Sequence, residues 1–415
     1  MINYHQFILA NGLQVLVHED HSTKMAVLNL LYKVGSRNEI PGKTGLAHYF
    51  EHLMFGSSKN VPVFDTALER VGGSCNAFTN TDITNYYISL PAVNIETAFW
   101  LESDRMLELN LSRKTIETQR KVVIEEFKQR YLNQPYGDVF HHIRSLAFDT
   151  HPYQWPTIGK EIEDIVNYTK QDVEEFYFTH YRPDNAVMVV AGDITFEQIK
   201  VLADKWFGNI PSGEIPKKSI PKELPQTGKK TLTLEADVPT DALYKVYHMP
   251  GKLQEGYLES DLITDIIGFG RSSLLEQRLV KNGHIFASVG AYIFGTVDPG
   301  LMVFSGKMEK GQSAENAESV LDELIAEFLQ SQVEENILTK VKNQAEAMKT
   351  YESVQLLNRA MSLAYYAHLG DPNLYQTEYE KKTRIPSEQI MDWASTILKK
   401  ENASVLYYKS ASKLN

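Results

Sequence analysis

The chain reads as two successive copies of one mixed helix-and-strand domain. Three observations carry that expectation. Its 415 residues are more than one hydrophobic core usually organises. The pattern Gln171-Asp172-Val173 … Phe176 … Asp184-Asn185-Ala186-Val187-Met188-Val189 returns as Glu388-Gln389-Ile390 … Trp393 … Glu401-Asn402-Ala403-Ser404-Val405-Leu406. The offset is constant, 390 − 173 = 402 − 185 = 217, about half the chain. Between the copies, Ile210 to Lys230 carries Pro211, Pro216, Pro221 and Pro225 with several lysines and few apolar residues, the composition of a semi-extended linker. The expected domains are therefore 1–211 and 228–415, joined by 212–227.

In order, Phe7 to His18 predicts strand, Asn11-Gly12 turn, strand. Ala26 to Val34 is an apolar strand that ends at Gly35-Ser36. A helix follows at Gly45 to Phe55, and another over Phe64 to Val71 stops at Gly72-Gly73. Ser74 to Phe78 and Thr84 to Leu90 are β-rich segments around the polar turn Asn80-Thr81-Asp82. Helical patterns run to about Ala147, then Gln171 to Tyr181. A strand at Ala186 to Gly192 and a helix at Ile194 to Phe207 close the first copy.

The chemistry concentrates in Gly45-Leu46-Ala47-His48-Tyr49-Phe50-Glu51-His52-Leu53-Met54-Phe55. At about 100° per residue, His48 and His52 lie one turn apart with Glu51 beside them. Leu46, Phe50, Leu53 and Met54 fall on the opposite face. One side buries, and the other offers two imidazoles and a carboxylate. Two imidazoles four residues apart can ligate one zinc ion, and H-x-x-E-H is the inverted order of H-E-x-x-H. Glu51 is then placed to take a proton from water on the metal.

Composition narrows the alternatives. A formal net charge of −11 argues against nucleic acid as a partner, because phosphate binding needs a basic face. Cys75 is the one cysteine, so no intrachain disulfide forms. No apolar run is long enough to span a bilayer. Met1 to Phe7 lacks the basic and apolar regions of a leader, so the expected compartment is the cytoplasm, or the periplasm if a leader was removed.

A catalytic zinc keeps three protein ligands and one open position. The third is sought in the helical stretch Thr115 to Phe127, where Glu125 and Glu126 compete. Glu126 shares a face with Gln119, Val122 and Val123, an inward-looking set. Glu125 lies toward Lys121 and Lys128, where pairing would make it a solvated charge. Glu126 is therefore the chosen ligand, 126 − 52 = 74 residues after the second histidine.

These residues carry a resemblance over the whole chain. His48-Tyr49-Phe50-Glu51-His52 with Leu53-Met54-Phe55 is part of it, as are Gly73 … Asn76-Ala77-Phe78-Thr79 and Thr84 … Tyr86. Arg120 … Val122-Val123-Ile124-Glu125-Glu126, His151-Pro152-Tyr153 and Ile158-Gly159 also fit. Together they resemble the pitrilysin/insulysin family of zinc peptidases, in the short-subunit branch near mitochondrial processing peptidase and its bacterial relatives. The resemblance implies an α+β fold of two homologous domains, each a mainly antiparallel sheet with helices on one face. The second domain is expected to lack a metal site, since the offset carries His48, Glu51 and His52 onto Asp265, Gly268 and Phe269. It further implies zinc held by His48, His52 and Glu126, and Glu51 as general base in a metalloendopeptidase acting on peptides or extended segments. Asn76 and Ala77 match the place where the family pairs substrate backbone as an added strand, although Asn76 also suits an ordinary strand-end cap.

Two departures stand out. Where relatives carry a second Glu in the metal's outer shell, this chain has Gln119, an amide without charge. Active relatives also place an Arg and a Tyr in the second half to hold the substrate carbonyl. Anchored on Gly283, those positions are Leu279 and Phe286, neither of which donates a hydrogen bond; Arg278 and Tyr292 are the shifted alternatives. The expected partner is therefore a homologous chain bearing that pair, in a heterodimer, with a homodimer as the alternative. The rival from another class is a structural or assembly subunit that keeps the fold and metal without turnover.

Overall fold

The computed structural model describes residues 2–213 and 219–411, so 214–218 of the expected linker lie outside the described residues. Among the described residues two sheets form. The first comprises β1 (His5–Ile8), β2 (Gln14–Glu19), β3 (Met25–Tyr32), β4 (Ser74–Thr79), β5 (Thr84–Pro91) and β6 (Ala186–Gly192), in the order β1-β2-β6-β3-β5-β4. The second comprises β7 (Lys230–Ala236), β8 (Ala242–Met249), β9 (Phe286–Phe294), β10 (Gly300–Met308) and β11 (Ala403–Ser410), in the order β7-β11-β8-β10-β9.

Without β1, the two orders coincide. In each sheet the outer pair β2–β6 or β7–β11 is parallel and the other pairs are antiparallel. Thus both halves are mainly antiparallel α+β domains of one topology. The expected strands are all present, and the Asn11-Gly12 turn joins β1 to β2 with Gly12 at φ 87°, where a side chain would be strained.

The burial pattern explains the layers. β6 is buried at every position and β3 at all but its first, so both faces of the sheet centre are covered. Among the described residues, one helix covers the face of each sheet opposite its other helices. In the first unit Ala360, Leu363, Ala364 and Ala367 of the Leu356–His368 helix pack on Leu16, Val27, Leu31, Val187 and Val189. In the second unit Val139, Ile143 and Ala147 of the Val139–Ala147 helix pack on Val246, Val303 and Leu406. These two helices are themselves related by the repeat, since 360 − 143 = 217. Accordingly the compact units are discontinuous in sequence. One is 1–127, 155–220 and 348–377; the other is 128–154, 221–347 and 378–415.

Candidate metal centre and active site

The motif forms the helix Leu46–Leu53, and its apolar residues bury as the periodicity requires: Leu46, Phe50, Leu53 and Met54 are all in the core. Both ends are held by buried polar side chains, the Glu39 carboxyl at one and the Arg105 guanidinium at the other; burial pushes the Glu39 carboxyl well above the usual carboxylate range, against the lowering effect of its two backbone hydrogen bonds. At the N-terminus Gly45 adopts φ 92°, and the Glu39 carboxylate accepts from the N–H groups of Gly45 at 2.7 Å and Ala47 at 2.8 Å. A side chain at Gly45 would meet the Ile158 carbonyl oxygen at 2.5 Å. At the C-terminus the Arg105 guanidinium donates to the Met54 carbonyl at 3.2 Å. Arg105 is itself buried against Glu102, whose carboxylate it meets at 2.8 Å, and its guanidinium lies 4.4 Å from the Tyr86 ring centroid.

The third ligand candidate comes from the helix Arg113–Phe127, tied to the motif helix by the Tyr49 hydroxyl donating to the Ile116 carbonyl. Glu126 turns inward beside buried Val123, whereas Glu125 is exposed. Val122 does not belong to the inward face as expected; it is 45% exposed. That residue lies about 100° of helix rotation from Val123, which places it on the solvent side. Gln119 is half-buried, two turns before Glu126 on the same helix.

Both imidazoles direct Nε2 at one carboxylate oxygen. The distance from Glu126 Oε2 is 3.1 Å to His52 and 3.8 Å to His48. The three ligating atoms lie within 4.8 Å of one another, a grouping found nowhere else among the described residues. Ligands at about 2.0–2.1 Å on a tetrahedral zinc ion stand about 3.3 Å apart, so this donor set fits the metal in both chemistry and spacing. All three side chains keep partial exposure, as a site with an open position needs.

Glu51 shares the helix face, and its Oε2 accepts from the Thr79 hydroxyl at 2.6 Å. Thr79 closes β4, an edge strand that among the described residues pairs only with β5. Within β4, Asn76 Oδ1 accepts from the Ala77 N–H at 2.8 Å; Asn76 is the third of the strand's six residues and so does not cap a strand end. Cys75 on the same strand is no rival nucleophile, because burial pushes its thiol up to about 11.

Among the described residues, the second unit holds no such cluster of ligating side chains. Its corresponding helix is Tyr257–Gly268, entered through Gly256 at φ 88°. Aligned on the two cap glycines, the offset is 256 − 45 = 211 rather than 217, because the connection between strand and helix is shorter there. The motif positions become Glu259, Leu262 and Ile263, all buried. Asp265, the residue that the longer offset selects, is bound by Lys382 at 3.1 Å. Leu279 and Phe286 are core side chains, 2% and 1% exposed. Arg278 pairs with Glu327 at 2.9 Å on the surface, and Tyr292 lies on β9, 39% exposed.

Glu39, Arg105 and Thr79 escaped the sequence reading. The first two act through burial and long-range contact, for which local periodicity carries no signal. Thr79 belongs to the stretch Asn76-Ala77-Phe78-Thr79, but its partner Glu51 is 28 residues away.

No helix among the described residues is long and apolar enough to cross a membrane. Comparison with known proteins bears on the family and the fold. Residues 14–161 match the insulinase model of peptidase family M16, and 167–345 match the M16 inactive domain. The chain is 32% identical to the zinc protease PqqE of Helicobacter pylori over 342 residues, 80% of this chain and 76% of that protein. It is 28% identical to the mitochondrial-processing peptidase subunit beta of Saccharomyces cerevisiae over 211 residues, 50% of this chain and 45% of that one. The crystal structure of a protease from Helicobacter pylori superimposes with a TM-score of 0.92 at 28% identity, over 99% of this chain and all of that chain. With more than half its length matched by the two models, the chain belongs to the insulinase family of M16 peptidases.

Proposed function

We propose that this chain is the zinc-bearing subunit of a metalloendopeptidase that hydrolyses peptides or extended polypeptide segments. The observation that supports it most is the convergence of His48, His52 and Glu126 beside Glu51, next to the open edge of β4. His48, His52 and Glu126 would hold the ion, with Gln119 as an uncharged neighbour in its outer shell. Zinc supplies Lewis acidity, polarising a carbonyl and making water a stronger acid.

The chain's own residues do the rest. A peptide added antiparallel to β4 pairs with the outward backbone of Ala77 and its neighbours, displacing the Asn76 amide from the Ala77 N–H. That brings the scissile carbonyl beside Glu51. Glu51 takes a proton as water attacks and returns it to the departing amine as the C–N bond breaks. Cleavage also needs the backbone on both sides of the scissile bond drawn out as one strand, which favours unstructured substrates.

Leu279 and Phe286 offer no donor to the developing oxyanion, and such a donor is worth roughly 10²–10³ in rate. We therefore assign the Arg/Tyr pair to a homologous chain in a heterodimer. The relative named a processing-peptidase subunit beta supports this arrangement. The duplicated halves are taken as 1–211 and 228–415, joined by 212–227.

Glu51→Gln tests the base. It should retain zinc and lose peptide cleavage by roughly 10²–10⁴-fold or more. Activity within about tenfold of wild type would reject the role, and a metal-replete but wholly inactive wild type, with its partner present, would favour the structural-subunit rival.

A further inference from the structure

Glu51 has a carboxylate with two equivalent oxygens at the end of a flexible side chain, whose terminal torsion is broad and two-fold. One hydroxyl proton can hold only one of those oxygens. Resting on Glu51 as the base, we propose that Thr79 is a positioning residue. Its hydroxyl donates to Oε2 at 2.6 Å and so fixes the orientation of the carboxylate that receives and returns the proton.

The Thr79 hydroxyl is itself held in a rigid frame. As a β-branched residue in a strand, Thr79 has a restricted χ1, and its backbone is registered opposite Thr84 on β5. The turn that follows is locked by Asn80 Oδ1, which accepts from the N–H groups of Asp82 at 2.8 Å and Ile83 at 2.9 Å. The carbonyls of Asn80 and Thr81 accept in turn from the N–H groups of Ser36 at 3.2 Å and Arg37 at 2.9 Å. Gly35 permits this approach, since a Cβ there would lie 2.5 Å from the Asn80 oxygen. The same loop continues to Glu39, which caps the helix bearing Glu51. One loop thus fixes both the base and the group that aims it.

None of these turn contacts uses the Thr79 hydroxyl, so the hairpin does not need it. Thr79 also ends the strand whose open edge takes the peptide, which sets the aimed carboxylate in register with the docked chain. In the reaction Thr79 keeps its proton. The water O–H bond breaks as the Glu51 O–H forms, and that proton passes to the amine nitrogen as the C–N bond breaks.

The test compares Thr79→Val, which keeps the shape and removes the hydroxyl, with Thr79→Ser and Glu51→Gln. Each zinc-loaded chain, with the homologous chain that it needs, is assayed on a quenched fluorescent peptide. Misplacement of a reacting group by about 1 Å costs on the order of 10²-fold. Thr79→Val should therefore lower kcat by about 10–100-fold and leave KM within about twofold. Zinc content and melting temperature should not change, and Thr79→Ser should recover to within about threefold of wild type. A wild-type kcat in Thr79→Val, a loss lying wholly in KM, loss of zinc, or equal damage in Thr79→Ser would each overturn the proposal. An active Glu51→Gln would instead overturn the assignment of the base. An inactive Glu51→Gln beside a fully active Thr79→Val would remove Thr79 alone.

Discussion

The helices Leu46–Leu53 and Tyr257–Gly268 occupy the same place in two sheets of one topology. Each starts at a glycine with positive φ. One presents His48, Glu51 and His52 on a partly open face; the other fills those positions with Glu259, Leu262 and Ile263 and buries them. The lesson is that this topology does not need the metal residues. A duplicated domain keeps its core periodicity while its polar face becomes either a reaction site or more core, and the surrounding charges follow. Around the first helix Glu39 and Arg105 cap the two ends; around the second, Lys382 binds Asp261 at 2.6 Å and Asp265 at 3.1 Å.

Separating the two halves of the chain should have the largest effect. Each sheet takes one covering helix from the other half of the sequence, so 1–211 expressed alone loses the Leu356–His368 helix from its outer sheet face. The exposed surface includes Leu16, Val27, Leu31, Val187 and Val189, a contiguous apolar patch. Neither 1–211 nor 228–415 should give a cooperative thermal transition alone, and co-expression should restore one. Independent folding of both pieces would show that the exchanged helices are dispensable.

Next in size is the buried charge beneath the motif helix. Glu102→Leu leaves Arg105 without its partner in the core, and breaking such a pair costs about 3–5 kcal/mol. Denaturant unfolding should report that loss together with weaker zinc retention, because Arg105 also holds the helix end. A stability change under about 1 kcal/mol would show that Arg105 finds other compensation.

A smaller effect sharpens the contrast through pH. In the second unit burial opposes ionisation of Glu318, but hydrogen bonds from Lys229, Lys245 and Tyr407 outweigh it and hold the carboxyl at about 2. A depressed carboxyl stabilises fully above its unfolded value and loses that contribution as pH falls through the folded one. The stability from Glu318, about 3 kcal/mol at neutral pH, should therefore disappear between about pH 5 and pH 2. Glu318→Gln should flatten the acid limb of the unfolding free energy. An unchanged slope would place the acid sensitivity elsewhere.

Much of this was legible from local pattern. Alternation and the Asn11-Gly12 turn located the strands, and helical periodicity separated the buried face of 46–54 from its histidines. The offset of 217 held at the strands but failed at the helix, where a shorter connection changed it to 211. The same helical geometry that favoured Glu126 over Glu125 misplaced Val122, because the apolar stripe of the Arg113–Phe127 helix is narrow and hydrophobicity alone does not bury a residue. The exchanged helices, the Glu39 cap and the Thr79 contact were not legible. Each depends on residues brought together by tertiary packing, which no spacing within one element encodes.

If the partly open face of the Leu46–Leu53 helix holds the metal, Glu126 is its third ligand. Zinc content after mild chelation, measured for wild type, Glu126→Gln and Glu125→Gln, tests it most directly. The expected result is one zinc ion per wild-type chain, nearly unchanged retention in Glu125→Gln and a loss of about 10–100-fold or more in affinity for Glu126→Gln. Equal retention in Glu126→Gln and wild type, or a loss confined to Glu125→Gln, would contradict it.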